Sequence, residues 1–480
     1  MSTYDTLQPA AVWKLFAEID RVPRASGAES AVMSMLEKRA KGRGQKTKRD
    51  KTGNLLISVP AAKGRESTPV TVLQGHVDMV CEKNASSNHN FARDPIVPRV
   101  KGEWVVADGT TLGADNAIGV SMAIAAAEDP SVAHGPIEIL LTVDEERGLT
   151  GAQNVEPGFF TGTRMINLDS EDDTSLTIGC AGMQESMISL EAARSALPRG
   201  WVAREVFVTG LKGGHSGLEI HTNRGNAIRI LARALVAAGD GLRLAHVEGG
   251  NKRNAIPREA RAVVAVAAKG LAALEKAATA AIARIRAEEV AGIDDGLEIR
   301  FAAASPKDAW GAADSARALA LLAALPHGLL AMSQTVKDLV ESSTNLAVAS
   351  TARGALRICC TSRSSVNSSL EQMAGQHRSI AQLAGATCRQ GPRTPGWKPD
   401  PGSALLKLVR EQYAKTFGHE PDVRGVHAGL ECGTLKDRMP GLDAISFGPD
   451  IHGAHSPDER VKIASVERVY GLLKAVLAAM

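Results

Sequence analysis

The stretch DNAIGVSMAIAAAEDPSVAHGPIEILLTVDEE, residues 115–146, joins an apolar helix pattern to a buried-strand pattern. Residues 115–129 are rich in alanine and largely uncharged, which is typical of a helix packed against a sheet. Residues 137–143 are mostly apolar and are followed by three consecutive carboxylates, Asp144, Glu145 and Glu146. The stretch therefore predicts a helix that leads into a strand of a covered sheet, with acidic side chains at the strand end.

Three neighbouring carboxylates have two interpretations. Taken alone, they fit a solvated turn at the end of a strand. Crowded like charges also raise one another's pKa values, and a bound cation would neutralise them. The choice between a turn and a cation site depends on the rest of the chain.

Other short apolar runs alternate with helical patterns over the first part of the chain. GNLLISVP, PVTVLQGHVDMV and RMINLDSED are bounded by Gly, Pro, Asp or Asn and have the pattern of buried strands. We predict an α/β domain over residues 1–184, built on a mostly parallel sheet with helices on both faces.

The pattern changes near residue 185. Strands with one exposed face and two long helices, near residues 223–239 and 269–288, predict an inserted α+β domain over residues 185–393. The Pro/Gly-rich segment TPGWKPDPGS marks the next boundary. Residues 394–480 then return to the pattern of helices and buried strands seen in residues 1–184, so we predict that they form a second part of the α/β domain.

Composition narrows the function classes. The chain has 480 residues, 44% hydrophobic, with a net charge of +3, which argues against a nucleic-acid surface. The basic run KRAKGRGQKTKRDK is interpreted as a helix end and a solvated turn in preference to a phosphate-binding patch. No signal peptide or membrane span is predicted. Six cysteines without a C-x-x-C pair are typical of a reduced cytoplasm, so we predict a cytoplasmic protein with no membrane partner.

Metal-ligating residue types recur where the predicted strands end. The carboxyl ends of parallel strands meet at one edge of a sheet, where ligands collect. Histidine and carboxylate side chains together make a mixed nitrogen and oxygen set suited to zinc, manganese or cobalt, and the lack of thiolates favours hydrolytic over structural chemistry. The residues at these ends are His76, Asp78, Asp115, Glu145, Glu146, Asp169, His452 and His455.

Six motifs, in this order, carry a resemblance to a known family: GHVDMV, LGADNAIG, DEERGLTGA, NLDSED, GGHSG and AHSPDE. They resemble the two-zinc metallopeptidases that include carnosinase and aminoacylase-1. Within that family the chain is most similar to the bacterial aminoacyl-histidine dipeptidases. The resemblance extends over almost the whole chain.

The resemblance implies a complete set of metal ligands. Asp115 would bridge two divalent ions; His76 and Asp169 would complete one ion, and Glu146 and His455 the other. Zinc is the expected metal, with cobalt or manganese as alternatives. The AHSPDE match selects His455 over the nearby His452.

The resemblance also implies the catalytic roles. Asp78 would orient His76, and Glu145 would be the general base that takes a proton from the metal-bridging water and delivers it to the leaving amine. His215 in GGHSG would polarise the scissile carbonyl, in some relatives from a partner subunit. A cis peptide bond is expected between Asp115 and Asn116.

Two further residues are assigned to the substrate. Arg363 in TSRSS would hold the substrate carboxylate, with Asn254 in KRNAIP assisting. The expected activity is two-metal hydrolysis of unblocked L-dipeptides, including Xaa-His substrates, with a homodimer through the inserted lid domain as an option. The alternatives are an N-acyl-amino-acid amidohydrolase of the same family and a non-catalytic binding or scaffold protein.

Overall fold

The computed structural model describes residue 4, residues 6–352 and residues 354–480. The chain folds into two compact units. Of the described residues, the first unit contains those within 1–180, 397–425 and 430–480, and the second contains those within 181–396 and 426–429.

An eight-stranded sheet is the centre of the first unit. Its strands, in spatial order, are Lys46–Arg49, Leu55–Val59, Ile137–Thr142, Thr71–His76, Arg164–Asn167, Asp443–Ser446, Ser175–Cys180 and Asp422–Val426. The consecutive strands from Ile137–Thr142 to Asp443–Ser446 pair in parallel. Antiparallel pairs flank them on both sides. The predicted α/β sheet is confirmed, with its parallel strands at the centre.

Burial explains why the central strands are so apolar. Every residue of Thr71–His76 and of Ile137–Thr142 is buried, as expected for parallel strands covered on both faces. The helix Ala114–Glu128, which lies between them in the chain, is buried along nearly its whole length and packs on both strands. Residues 115–146 thus contain a helix that packs on the central sheet and one strand of that sheet.

The described residues of the first unit also form six other helices and a small sheet. The helices are Ala10–Asp20, Ser30–Gly42, Thr150–Gln153, Ala404–Phe417, Glu431–Arg438 and Ile463–Ala479. A four-stranded antiparallel sheet contains, in spatial order, Ile451–His452, Arg460–Lys462, Trp104–Ala107 and Pro98–Lys101.

The second unit is built on a nine-stranded antiparallel sheet. Eight of its strands, in spatial order, are Glu298–Ala304, Trp201–Thr209, Ala260–Ala267, Arg243–Gly249, Val340–Ala352, Ala355–Ser364, Gly182–Glu191 and Thr387–Thr394. The ninth strand, Gly328–Met332, pairs with Val340–Ala352. The α-helices are Ala227–Ala237, Leu271–Glu288, Ala312–Ala324 and Asn367–Leu383. Short strand pairs join Arg194–Ala196 to Asp308–Trp310 and Gly214–His215 to Ala255–Ile256. Two 3-10 turns lie at Ile220–Thr222 and Ala268–Gly270.

Within the described ranges, no helix is both long enough and apolar enough to span a membrane.

Candidate active site

The first ligand group forms where the central strands of the first unit end. His76 is the last residue of its strand and is 1% exposed. Its Nε2 atom lies 3.1 Å from Asp115 Oδ1 and 3.3 Å from Asp169 Oδ1. The structure therefore brings together the three residues that the sequence assigned to one ion.

A second ligand group uses the other oxygen of Asp115. His455 Nε2 lies 3.2 Å from Asp115 Oδ2 and 3.0 Å from Glu146 Oε2. One carboxylate thus faces two separate ligand groups, which is the arrangement of a bridging ligand between two ions. The peptide bond between Asp115 and Asn116 is cis, as the resemblance implied.

The donor chemistry of both groups fits divalent ions. Within each group the ligand atoms lie within 4.8 Å of one another, as they must to share one ion. Glu146 Oε1 is buried and has no hydrogen-bond partner among the described residues, and Asp169 Oδ1, also buried, faces His76 Nε2 at 3.3 Å. A bound cation would satisfy these oxygens, whose burial is otherwise costly. Nitrogen and oxygen donors without thiolate suit zinc, manganese or cobalt.

Asp78 lies behind the first group and is fully buried. Its Oδ1 atom is 3.4 Å from His76 Nδ1, on the side of the ring opposite Nε2. The same carboxylate accepts the backbone N–H groups of Glu145 and Glu146 at 3.1 and 3.3 Å and the Ser26 hydroxyl at 2.7 Å. Asp78 therefore holds both the imidazole of His76 and the acidic turn, residues 144–146.

The three carboxylates of the acidic turn point to different neighbours. Asp144 has a left-handed backbone, φ 53°, and pairs with Arg147 at 2.5 Å. Glu145 and Glu146 each place a carboxylate oxygen within 4.8 Å of a ring nitrogen of His76. Burial, together with the nearby carboxylates of Asp169, Glu431 and Glu146, raises the pKa of Glu145 well above its ordinary range. A carboxylate in such surroundings accepts a proton readily.

The His215 loop lies in the second unit. His215 Nδ1 accepts the backbone N–H groups of Gly217 and Leu218 at 3.2 and 3.1 Å. Because Nδ1 accepts twice, the neutral ring carries its proton on Nε2, which can donate to a carbonyl oxygen. Burial and the nearby Arg363 lower the pKa of His215, so the neutral form is favoured.

Arg363 also belongs to the second unit, on the strand Ala355–Ser364. It is 8% exposed, and its Nε atom has no hydrogen-bond partner among the described residues. Burial lowers the pKa of the guanidinium. A buried guanidinium left without a full set of partners suits an anionic group of a ligand.

Asn254 is exposed, and no hydrogen bond of its side chain is observed within the described ranges. Its backbone oxygen accepts the N–H of Ser216 at 2.8 Å, beside His215. The structure therefore links residue 254 to the His215 loop through its main chain.

Two buried polar residues of the segment HAGLECG, residues 427–433, lie outside the ligand groups. Glu431 is fully buried and accepts Gln74 Nε2 at 2.5 Å and Thr142 Oγ1 at 2.7 Å. His427 lies in the second unit and contacts Ser343 Oγ at 2.7 Å. Burial and the neighbouring Arg363 lower the pKa of His427 to about 3. This segment also shares the family resemblance, which places it at the amino-terminal side of the substrate but assigns no role to Glu431.

Comparisons with known proteins agree over nearly the whole chain. Residues 72–479 match the model of peptidase family M20/M25/M40. The chain is 40% identical over 480 residues to the cytosol non-specific dipeptidase of Escherichia coli (strain K12), covering 99% of each chain. It is also 40% identical to the crystal structure of aminoacylhistidine dipeptidase from Vibrio alginolyticus, with a TM-score of 0.93, covering 99% of this chain and 98% of that one.

A more distant structure shares the fold alone. Aminopeptidase PepT from Bacillus cereus ATCC 10987 is 16% identical, with a TM-score of 0.57, covering 98% of this chain and 99% of that one.

Proposed function

Since this chain belongs to peptidase family M20/M25/M40, we propose that it hydrolyses unblocked L-dipeptides, Xaa-His dipeptides included, at a centre of two divalent ions. The protein is a peptide hydrolase of the dipeptidase type. The residue groups around Asp115 are its candidate metal ligands.

The shared carboxylate of Asp115 is the observation that carries the two-metal assignment. Asp115 Oδ1 faces His76 and Asp115 Oδ2 faces His455, so the two oxygens of one carboxylate face different ligand groups. We assign His76 and Asp169 to one ion, Glu146 and His455 to the other, and Asp115 to both. The proposed metal is zinc, which mixed histidine and carboxylate sets bind well.

Two divalent ions, when bound, polarise the peptide carbonyl and lower the pKa of water at the centre. Glu145 is proposed as the general base that takes a proton from the attacking water and passes it to the leaving amine. Its position supports this role, because a carboxylate oxygen of Glu145 lies within 4.8 Å of a ring nitrogen of His76, beside the candidate metal ligands. Asp78 fixes the orientation of His76 through the second ring nitrogen.

The second unit is proposed to supply the substrate contacts. His215, with its proton on Nε2, donates to the carbonyl oxygen as negative charge develops there. Arg363 binds the free carboxylate of the dipeptide, which accounts for a guanidinium buried without a full set of partners. Asn254 assists by holding the His215 loop at Ser216.

The test compares free and blocked substrates on zinc-, manganese- and cobalt-loaded protein. We expect turnover of Ala-His and Gly-Leu and none of N-acetylated amino acids. Preferential cleavage of N-acetylated amino acids would instead favour an amidohydrolase. A lack of turnover with every substrate and metal would favour a binding protein.

Assembly and location are proposed separately. An exposed apolar edge strand, Gly328–Met332, carries Leu329, Leu330 and Met332 at 37, 45 and 38% exposure, and it suits a homodimer through the second unit. Light scattering of wild type and Leu330→Glu tests this, because a monomeric wild type would contradict it. We also propose a cytoplasmic location, which the free thiols of all six cysteines support and cell fractionation tests.

A further inference from the structure

The turn that presents Asp115 is held by one buried carboxylate. Glu459 is 2% exposed, and its Oε2 atom accepts the backbone N–H groups of Leu112 and Gly113 at 2.8 and 2.9 Å. Its Oε1 atom accepts the N–H of Asp115 itself at 3.3 Å. Three peptide groups of one turn therefore converge on a single side chain.

The opposite side of the same turn is held by a buried cation. Arg24 Nη2 donates to the carbonyl oxygen of Gly113 at 2.9 Å and lies 3.4 Å from Asp20 Oδ1. Gly113 has a left-handed backbone, φ 70°, and a Cβ atom there would lie 2.4 Å from Arg24 Nη2. Glu459 thus binds the N–H groups of the turn, and Arg24 binds its Gly113 carbonyl oxygen. The nearby Arg24 side chain leaves no room for a Cβ atom at residue 113.

Glu459 also belongs to the segment that carries His455. Its N–H donates to Ser456 O at 3.0 Å, and the Ser456 N–H donates to Gly453 O at 3.2 Å, so two consecutive turns, 453–456 and 456–459, join His455 to Glu459. His455 has a left-handed backbone, φ 63°, which a residue with a Cβ atom adopts only where its surroundings enforce it. A single carboxylate therefore connects the segments that present Asp115 and His455, two chain regions far apart in sequence.

We propose that Glu459 is a positioning residue for the metal centre: it fixes the Asp115 turn to the His455 turn so that the ion held by Asp115, Glu146 and His455 binds tightly. The inference rests on the metal assignment of the proposed function. Glu459 is not itself in a ligand group; it acts on the ligands through the backbone.

The two ions are expected to depend on Glu459 unequally. His76 and Asp169 are at or just beyond the ends of central strands, which hold them independently of Glu459. Asp115 and His455, in contrast, lie on the two turns that Glu459 connects. Loss of this carboxylate should therefore weaken the Glu146–His455 ion more than the His76–Asp169 ion.

The experiment measures metal affinity instead of hydrolysis. Metal-free wild type and Glu459→Gln are titrated with zinc in competition with a chelator of known affinity. We expect one of the two affinities to fall about 10–100-fold and the other to change less than about threefold. Thermal unfolding of the metal-free proteins is measured alongside.

Glu138 offers a matched control in the same unit. It is 8% exposed and accepts the backbone N–H groups of Thr161 and Gly162 at 2.7 and 2.9 Å, yet it belongs to neither ligand group. Glu138→Gln should lower the unfolding temperature and leave both zinc affinities unchanged. Equal zinc affinities in Glu459→Gln and wild type, or equal losses at both ions, would overturn the proposal.

Glu459→Asp provides the same test if the glutamine variant does not fold. The shorter side chain keeps the charge but cannot reach all three N–H groups, so we expect the same unequal loss of zinc affinity. Two unchanged zinc affinities would overturn the proposal. Wild type that binds two ions but does not cleave Ala-His would overturn the proposed function, while the affinity comparison would still decide the role of Glu459.

Discussion

His455 Nε2 lies 3.2 Å from Asp115 Oδ2, although the two residues are 340 positions apart in the chain. The other oxygen of Asp115 faces His76 at 3.1 Å. Asp115→Ala should therefore lose both ions, because each ion loses a ligand and the two ions lose their shared charge. His455→Ala should retain one ion. Metal content after equilibrium dialysis distinguishes the two variants, and two ions per chain in Asp115→Ala would contradict a bridging role.

Much of this centre could be predicted because its ligands follow strands. An apolar run ending in His or Asp is visible in sequence, and parallel strands bring such ends together, as they do for His76 and Asp169. The prediction that Asp115 and His455 share an ion depended on the family resemblance, because no rule of sequence spacing relates residues so far apart.

The supporting contacts could not be predicted. Glu459 binds backbone N–H groups, which every residue except proline has, so the sequence at residues 112–115 does not reveal an acceptor. The burial of Arg24 was equally hidden, because an arginine is ordinarily exposed. The antiparallel strands that flank the parallel centre were also missed, since buried strands of both kinds share one apolar pattern.

Glu145→Gln should keep both ions and lose activity. The amide has the size of the carboxylate but cannot accept the proton of the attacking water, so kcat should fall roughly 10²–10⁴-fold. Steady-state assays on Ala-His, with metal content measured on the same samples, check this. Asp144→Asn is the neighbouring control, because Asp144 pairs with Arg147 and should tolerate the change. Near-normal kcat in Glu145→Gln would remove it as the base.

Arg363→Ala should impair substrates that carry a free carboxylate. The lost charge-assisted hydrogen bonds are worth about 1.5–3 kcal/mol, or roughly 10–100-fold in kcat/KM. C-terminally amidated dipeptides should be much less affected, since they offer no carboxylate to the guanidinium. Arg357→Ala is the control, because Arg357 lies on the same strand and is exposed. An equal loss on free and amidated substrates would rule out the carboxylate anchor.

His215→Ala should lower kcat about 10²–10³-fold while both ions stay bound, since one donor to the developing oxyanion is lost. The control is His246→Ala, because His246 is a partly exposed histidine of the same unit that contacts Glu248. Steady-state kinetics and metal content, measured on the same samples, compare His215→Ala with His246→Ala. Loss of an ion in His215→Ala would indicate a structural role instead.

The buried His377 predicts how stability depends on pH. It is fully buried in the second unit, lies 2.9 Å from Ser186 Oγ and 3.3 Å from Thr344 Oγ1, and burial lowers its pKa to about 4. An unfolded histidine has a pKa near 6.5. Between these values the unfolded chain binds a proton that the folded chain does not, so stability falls as pH falls, with a slope of up to about 1.4 kcal/mol per pH unit.

His377→Gln should remove that contribution, because glutamine offers similar hydrogen bonds and does not titrate in this range. Urea midpoints between pH 7 and pH 4 should decline less steeply in the variant than in wild type. His419→Gln is the control, because it makes the same substitution at an exposed histidine. Parallel pH profiles for wild type and His377→Gln would contradict the prediction, because they would show that folding does not change the pKa of this imidazole.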